Sequence, residues 1–234
     1  MPKSKRARIV HTSSVQKKPS KEKSASLYAA VRAAADTYPH IIVFRVENMR
    51  NTYLKDVRQH FSDSRMFFGK TKVMAKALGT TAEDEHMPGL AGLSTHLNGS
   101  VGLLCTSRDP EEVADYFREY IEVDFARAGN PATRTFVVPA GVVHSTGGEQ
   151  PVEDDVPLPH SLEATVRKWG MPTRLDKGKV VLNEEHVVCE EGKLMNSNQT
   201  ALLKLFGIVM AEFRVQVLAY WSASSQEVTL VDES

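Results

Sequence analysis

Residues 41–79 read IIVFRVENMRNTYLKDVRQHFSDSRMFFGKTKVMAKALG, and this stretch decides the fold. Its first four residues form a continuous apolar run, which is typical of a parallel strand covered on both faces. Apolar residues then recur at the spacing of one helix face, at Leu54, Val57 and Phe61. We expect Asn48 or Asn51 to cap this helix. A second apolar run at 66–68, a glycine turn and a helical pattern ending at Gly79 complete an α/β order of elements.

The same stretch has an excess of basic side chains. Between Arg45 and Lys76 there are eight bases and three acids, 8 − 3 = +5, whereas the formal net charge of the whole chain is zero. Backbone N–H groups at the start of a helix, flanked by lysines, form a site for anions. Charge alone leaves two interpretations open, a solvated basic face and a surface that binds the phosphate backbone of a nucleic acid.

The composition is that of an ordinary soluble protein, with 234 residues, 41% hydrophobic and 25% charged. Cys105 and Cys189 each lie in an apolar run, so we expect two buried thiols rather than a disulfide or a metal site. The histidines and cysteines lack metal-ligand spacing, and no signal peptide or membrane-spanning run is recognisable. We therefore expect no metal, no cofactor, no membrane partner, and a cytosolic or nuclear location.

Shifts in composition divide the chain into predicted parts. Residues 1–23 carry eight bases and one acid, 8 − 1 = +7, and predict a flexible basic arm, either a solubilising tail or a segment that folds onto RNA. Alternating strands and helices predict one discontinuous α/β sandwich domain over 24–128 and 197–221. Residues 129–160 are rich in Gly, Pro, Val and Thr, and a small β-rich domain inserted at 129–196 is predicted. We expect a frayed or edge-strand end at 222–234.

Three further elements have local signals. The first helix is expected to begin at Ser24 or Ser26, either of which can cap it. The apolar runs 179–182 and 186–189 predict a hairpin around the three polar residues between them. A last helix is expected at 196–206.

Catalytic signals are weak. The helix that begins at Asp109 has an acidic face, with Glu111, Glu112, Asp115, Glu119 and Glu122. Without a partner base, this face indicates solvation rather than acid–base catalysis. Gly69-Lys70-Thr71 is similar to the end of a phosphate-binding loop, but Ser64 stands where the first glycine of that loop belongs. We therefore predict no catalytic residues and no enzyme activity, and an RNA-cleaving enzyme is the least favoured alternative.

Six motifs in order along the chain carry a family resemblance. Residues 46–58 (VENMRNTYLKDVR), 68–77 (FGKTKVMAKA) and 97–104 (LNGSVGLL) resemble the large-subunit stalk-base ribosomal protein family, which includes bacterial protein ten and eukaryotic P-zero. Residues 145–152 (STGGEQPV), 157–162 (PLPHSL) and 198–206 (NQTALLKLF) resemble, more narrowly, the ribosome assembly factors called mRNA turnover protein four. The resemblance extends from about Ala25 to Trp221.

This resemblance implies a function and a set of partners. It implies a factor that binds the rRNA at the stalk base of nuclear pre-ribosomal large subunits and holds the site until P-zero replaces it. The implied partners are this rRNA, the pre-ribosomal particle and the neighbouring stalk-base ribosomal protein of the eleven family, with P-zero excluded from the same site. The implied location is the nucleus and nucleolus, and shuttling to the cytoplasm is left open. The alternative is the mature stalk-base ribosomal protein itself.

The predicted RNA-binding residues are basic side chains of the arm, of the helix after residue 50 and of the glycine turn, together with Asn51 and Thr71. In the arm they are Lys3, Lys5, Arg6, Arg8, Lys17 and Lys18. In the helix and the glycine turn they are Arg50, Asn51, Lys55, Arg58, Lys70, Thr71, Lys72 and Lys76. At the turn, Thr71-Lys72 stands where the family usually has Asn-Thr. Since few apolar anchors follow Trp221, we expect the chain not to gather the acidic dimers that the mature stalk protein binds.

Overall fold

A computed structural model describes residues 20–231 of the chain. The helices are α1 (Ser20–Thr37), α2 (Asn51–His60), α3 (Thr71–Leu78), α4 (Leu90–Ser94), α5 (Pro110–Glu119), α6 (Glu163–Lys168) and α7 (Ser197–Leu205). The strands are β1 (His40–Glu47), β2 (Arg65–Phe67), β3 (Val101–Thr106), β4 (Glu122–Asp124), β5 (Phe136–Val138), β6 (Gly141–Val142), β7 (Thr173–Asp176), β8 (Lys179–Leu182), β9 (His186–Cys189), β10 (Ala211–Ser222) and β11 (Val228–Leu230). This mixture confirms the predicted α/β class. Over residues 20–231, no helix is both long and apolar enough to cross a bilayer.

The chain divides into two compact units, each built from separate segments. The described part of the first unit comprises residues 20–44, 63–110 and 218–231, and the second unit comprises 45–62 and 111–217. The boundary between the units therefore falls inside β1 and again inside β10.

The first unit is a sheet covered by helices. Its strand order is β11-β10-β1-β3-β2, with β2 antiparallel to β3 and β11 antiparallel to β10. Ile41–Phe44 is buried residue by residue, which confirms that this run is covered on both faces. The core on one face joins residues of α1, α3 and α4 to the strands, including Val31, Met74, Leu90, Leu103 and Trp221.

The C-terminal end of α3 packs closely against the loop that follows it. Gly79 stops the helix as predicted, with φ at 107° and its N–H donated to the carbonyl of Ala75 at 2.9 Å. A Cβ at this position would lie 2.2 Å from the Cα of Glu85. The Glu85 carboxylate accepts hydrogen bonds from the N–H groups of Gly89 and Ala91 at 3.1 and 3.2 Å. These two bonds connect the loop after α3 to the start of α4.

The second unit contains three sets of paired strands. β4 is antiparallel to the start of β10, β5 pairs with β9, and β6-β8-β7 form a three-stranded sheet. One buried cluster includes Phe136, Val180, Leu202, Leu203 and Phe206. Helix α7, which we assigned to the α/β domain, thus shares a core with residues of the predicted insertion.

The predicted hairpin of 179–182 with 186–189 is wrong. β8 pairs with β7 and β6, whereas β9 pairs with β5 in a different sheet. β7 and β8 are joined by Lys177-Gly178, whose φ angles are 47° and 79°. A two-residue turn with both φ angles positive follows the twist of paired strands, and the polar residues after β8 do not supply one.

Two predicted helix starts also need correction. α1 begins at Ser20, before Ser24 and Ser26, so the last four residues of the predicted arm are helical. α2 follows Arg50 without a side-chain cap. Asn48 takes φ 47°, and its side-chain oxygen accepts from the amide of Asn130 at 2.6 Å while its amide donates to the carbonyl of Glu212 at 2.8 Å.

Candidate nucleic-acid interface

Helix α2 in the second unit presents cations on one flank. Its buried side is formed by Leu54 and Val57. At 3.6 residues per turn, Asn51, Lys55 and Arg58 lie together on a neighbouring flank, and all three are exposed. Within residues 20–231 the side chains of Lys55 and Arg58 form neither a hydrogen bond nor an ion pair. This flank therefore offers two charges to an anion.

Arg50 does not belong to this flank. Its Nε donates to Asp124 Oδ2 at 2.5 Å and its Nη2 donates to the carbonyl of Phe125. The Arg50 and Asp124 side chains are 18% and 25% exposed. Burial alone raises the pKa of Asp124, but the N–H of Phe125 and the guanidinium of Arg50 outweigh it and hold that pKa below its usual value. The geometry gives Arg50 a structural role at the start of α2 and does not support phosphate binding by this side chain.

Helix α3 in the first unit carries the other predicted residues. Lys70 is its N-cap and Thr71 its first residue, and the Lys70 carbonyl accepts the N–H of Met74 at 3.1 Å. Lys72 and Lys76 lie one turn apart on the side opposite the buried Met74, and both are exposed. No acidic side chain in the described range pairs with either of them.

Helix α1 supports α3 at both ends. A Cβ at Gly69 would lie 2.7 Å from Cδ2 of Leu27, so the turn before α3 rests directly on α1. The Nε of Arg32 donates to the carbonyl of Ala77 at 3.1 Å, near the end of α3 where carbonyl groups lack helical partners. Sequence reasoning missed Arg32, because its partner lies 45 residues away and leaves no local signal.

The structure therefore brings the predicted residues together in two groups. Lys70, Thr71, Lys72 and Lys76 gather on α3 in the first unit, and Asn51, Lys55 and Arg58 gather on α2 in the second. The six predicted residues of the arm, Lys3 to Lys18, lie outside the described residues.

The thiols offer no reactive centre in the folded chain. Cys105 and Cys189 are both free and buried, as predicted. Burial raises the pKa of Cys105 to about 12 and also raises the pKa of Cys189. Both groups are therefore protonated, and weakly nucleophilic, at neutral pH. No group of three or more His, Cys, Asp or Glu side chains between residues 20 and 231 is arranged to hold a metal ion.

Family models match both parts of the chain. Residues 19–122 match the model "Ribosomal protein L10", and residues 126–208 match the model of the insertion domain found in the 60S ribosomal protein of the same family. Over its whole length the chain is 53% identical to "Ribosome assembly factor mrt4" of Neurospora crassa, of which the match covers 94%. The chain belongs to the Mrt4 ribosome assembly factors, within the L10 family. The family resemblance read from the sequence motifs is thereby confirmed.

Sequence identity is lower with another Mrt4 protein and lower still with an L10 ribosomal protein. The Schizosaccharomyces pombe Mrt4 protein is 47% identical over the whole chain, with 97% of that protein covered. "Large ribosomal subunit protein uL10" of Thermococcus sibiricus is 27% identical over 84% of the chain and 56% of that protein. The insertion model ends at residue 208, so it includes α7, whereas we predicted an insertion over 129–196.

Proposed function

We propose that this Mrt4-family chain binds the rRNA at the base of the large-subunit stalk on nuclear and nucleolar pre-ribosomes, and that P-zero later takes the same site. Membership in a family of ribosome assembly factors related to L10 supports this proposal. The chain acts here as a binding module, so the proposal requires no catalytic step.

The observation that carries the proposal is the accessible position of four cations. Lys72 and Lys76 on α3, like Lys55 and Arg58 on α2, reach solvent and have no acidic partner in the described part of the chain. Lysine ammonium groups and helix N-termini neutralise phosphates without reading the base sequence. Contacts of this kind fix a protein on a folded RNA, as an assembly factor that holds a site requires.

The test is the salt dependence of RNA binding. If about six phosphates are neutralised, the logarithm of the binding constant should fall with the logarithm of salt concentration with a slope of about −4 to −5. Replacing both lysines, Lys70→Ala with Lys72→Ala, should flatten this slope by about one to two and weaken binding. The measurement is fluorescence anisotropy with a labelled stalk-base RNA over a salt series.

A charge-matched control distinguishes a phosphate site on α3 from non-specific electrostatic attraction to RNA. Lys177 and Lys179 are exposed at the turn between β7 and β8, so Lys177→Ala with Lys179→Ala removes the same charge elsewhere. We expect this variant to bind RNA with an unchanged slope. An unchanged slope in the α3 variant, or an equal change in both variants, would show that α3 is not the phosphate site.

A further inference from the structure

A second surface lies on the flank of α2 that faces away from Lys55 and Arg58. The His60 ring stacks on Tyr116 of α5, with centroids 4.0 Å apart and planes 10° apart. Tyr116 stacks in turn on Tyr120 at 5.7 Å and 12°. Tyr53, also on this flank, packs its ring against Phe213 at 5.4 Å. These rings, all within the second unit, define what we call the aromatic surface.

The aromatic surface continues into exposed aliphatic side chains. Ile121 is 43% exposed and Val123 is 59% exposed, although both are large and apolar. Val123 belongs to the three-residue strand β4, and the Tyr53 hydroxyl donates to its carbonyl at 3.4 Å. Tyrosine rings beside exposed aliphatic groups are typical of surfaces that another protein covers.

Carboxylates surround these rings and determine which partner fits. Asp56, Glu112, Glu119 and Glu122 form no ion pair with any residue between 20 and 231. Two of these carboxylates, Asp56 and Glu122, act on Tyr120: burial, followed by these two charges, raises the pKa of its hydroxyl to about 12. Phosphates would be repelled here, whereas a cation would relieve the repulsion.

We propose that the aromatic surface binds an arginine-rich segment of a protein partner, with one guanidinium placed beside Tyr120 between Asp56 and Glu122. A guanidinium stacks on tyrosine rings and pairs with carboxylates at the same time, which an ammonium does less well. Helix α2 then binds RNA through one flank and a basic protein through the other. This inference does not depend on the RNA site, because the two flanks share no residue.

The test uses the full chain and a labelled octa-arginine peptide. Binding is followed by anisotropy, and the site is mapped by amide chemical-shift changes. We expect shifts at Tyr53, Asp56, Tyr120 and Glu122. Asp56→Asn with Glu122→Gln should weaken peptide binding at least tenfold, and Tyr120→Leu should do the same. Stalk-base RNA binding should not fall in either variant.

The matched control is Glu153→Gln with Asp154→Asn, which removes two exposed carboxylates elsewhere in the second unit. This control should bind the peptide as the unchanged protein does. Equal losses in control and test variants, shifts centred on another surface, or weaker RNA binding with unchanged peptide binding would each overturn the proposal. Loss of RNA binding on α3 substitution alone would leave the peptide result unaffected, so the two proposals fail separately.

Discussion

At the scale of single residues, Asp124 links folding to acid pH. Its pKa is lower in the folded chain than the usual value of about 3.9 for an unfolded aspartate. The stabilisation is therefore fully present above about pH 4 and is lost as the pH falls through the folded-state pKa. We expect the free energy of unfolding, measured in urea between pH 7 and pH 3, to decline over this acid range.

The variant Asp124→Asn isolates this contribution from those of Asp63 and Asp155, whose pKa values are also lowered. Its free energy of unfolding at pH 7 should be lower by about 1.5–3 kcal/mol, the range for hydrogen bonds to charged groups, and should decline less steeply at acid pH. Asp154→Asn, at an exposed turn, should change stability by less than about 0.5 kcal/mol. If the free energy of unfolding of Asp124→Asn fell at acid pH as steeply as that of the unchanged protein, the role assigned to the Arg50–Asp124 pair would be contradicted.

Alanine substitutions at two glycines can distinguish the cost of backbone strain from the cost of a steric clash. Gly79 and Gly207 both follow a helix with positive φ, 107° and 75°, but only Gly79 has backbone atoms where a Cβ would lie. Gly207→Ala should therefore cost about 1–2 kcal/mol, the strain of a left-handed residue. Gly79→Ala should cost more than about 3 kcal/mol, because the loop at Glu85 must move as well. Urea unfolding compares the two, and equal losses would refute the clash.

At the scale of elements, α7 begins with a capping box that can be tested alone. The Asn196 side chain accepts the N–H groups of Asn198 and Gln199, and the Gln199 side chain accepts the N–H of Asn196 at 2.8 Å. Asn196→Ala should lower the free energy of unfolding by about 1 kcal/mol. Asn198→Ala removes a similar exposed side chain without a capping role and should be nearly neutral. A neutral Asn196→Ala would mean that water replaces this cap at no cost.

Local signals in the sequence predicted some elements and missed others for a physical reason. The last helix, expected at 196–206, and the helix stop at Gly79 were both predicted from neighbouring residues, and both predictions are confirmed. Asn48 is instead hydrogen-bonded to Glu212, 164 residues away, and β9 pairs with β5 rather than with β8, the strand just before it. Periodicity identifies a strand but carries no information about its partner in the sheet.

In the candidate site, too, local features were predicted from the sequence and long-range contacts were not. The spacing of Lys72 and Lys76 on α3 followed from helical geometry, and their access to solvent agrees with it. Arg50 looked equally available in the sequence, but its partner Asp124 is 74 residues further along the chain. Only the folded chain shows which cations are already engaged.

At the scale of the whole molecule, the proposed function predicts competition. Because we propose a single stalk-base RNA site for this chain and for P-zero, adding purified P-zero should release the labelled chain from that RNA. Its apparent dissociation constant should rise linearly with the free P-zero concentration. Gel filtration of the mixture, with both proteins labelled, measures which of them remains on the RNA.

The control for this competition is an unrelated RNA-binding protein of similar charge, which should not displace the chain at the same salt concentration. A complex that carries this chain and P-zero on one RNA would contradict a shared site. Displacement by the unrelated protein would show that the competition is only electrostatic.

The two units have a consequence for synthesis on the ribosome. Ala219 and Trp221 are buried in the first unit, yet they are translated after the whole second unit. At about 5–20 residues per second, the nascent chain waits about 5–20 seconds between residue 111 and residue 218. Throughout that interval the strands already made lack their late neighbour. The sheet of the first unit can therefore be completed only after β10 has left the exit tunnel.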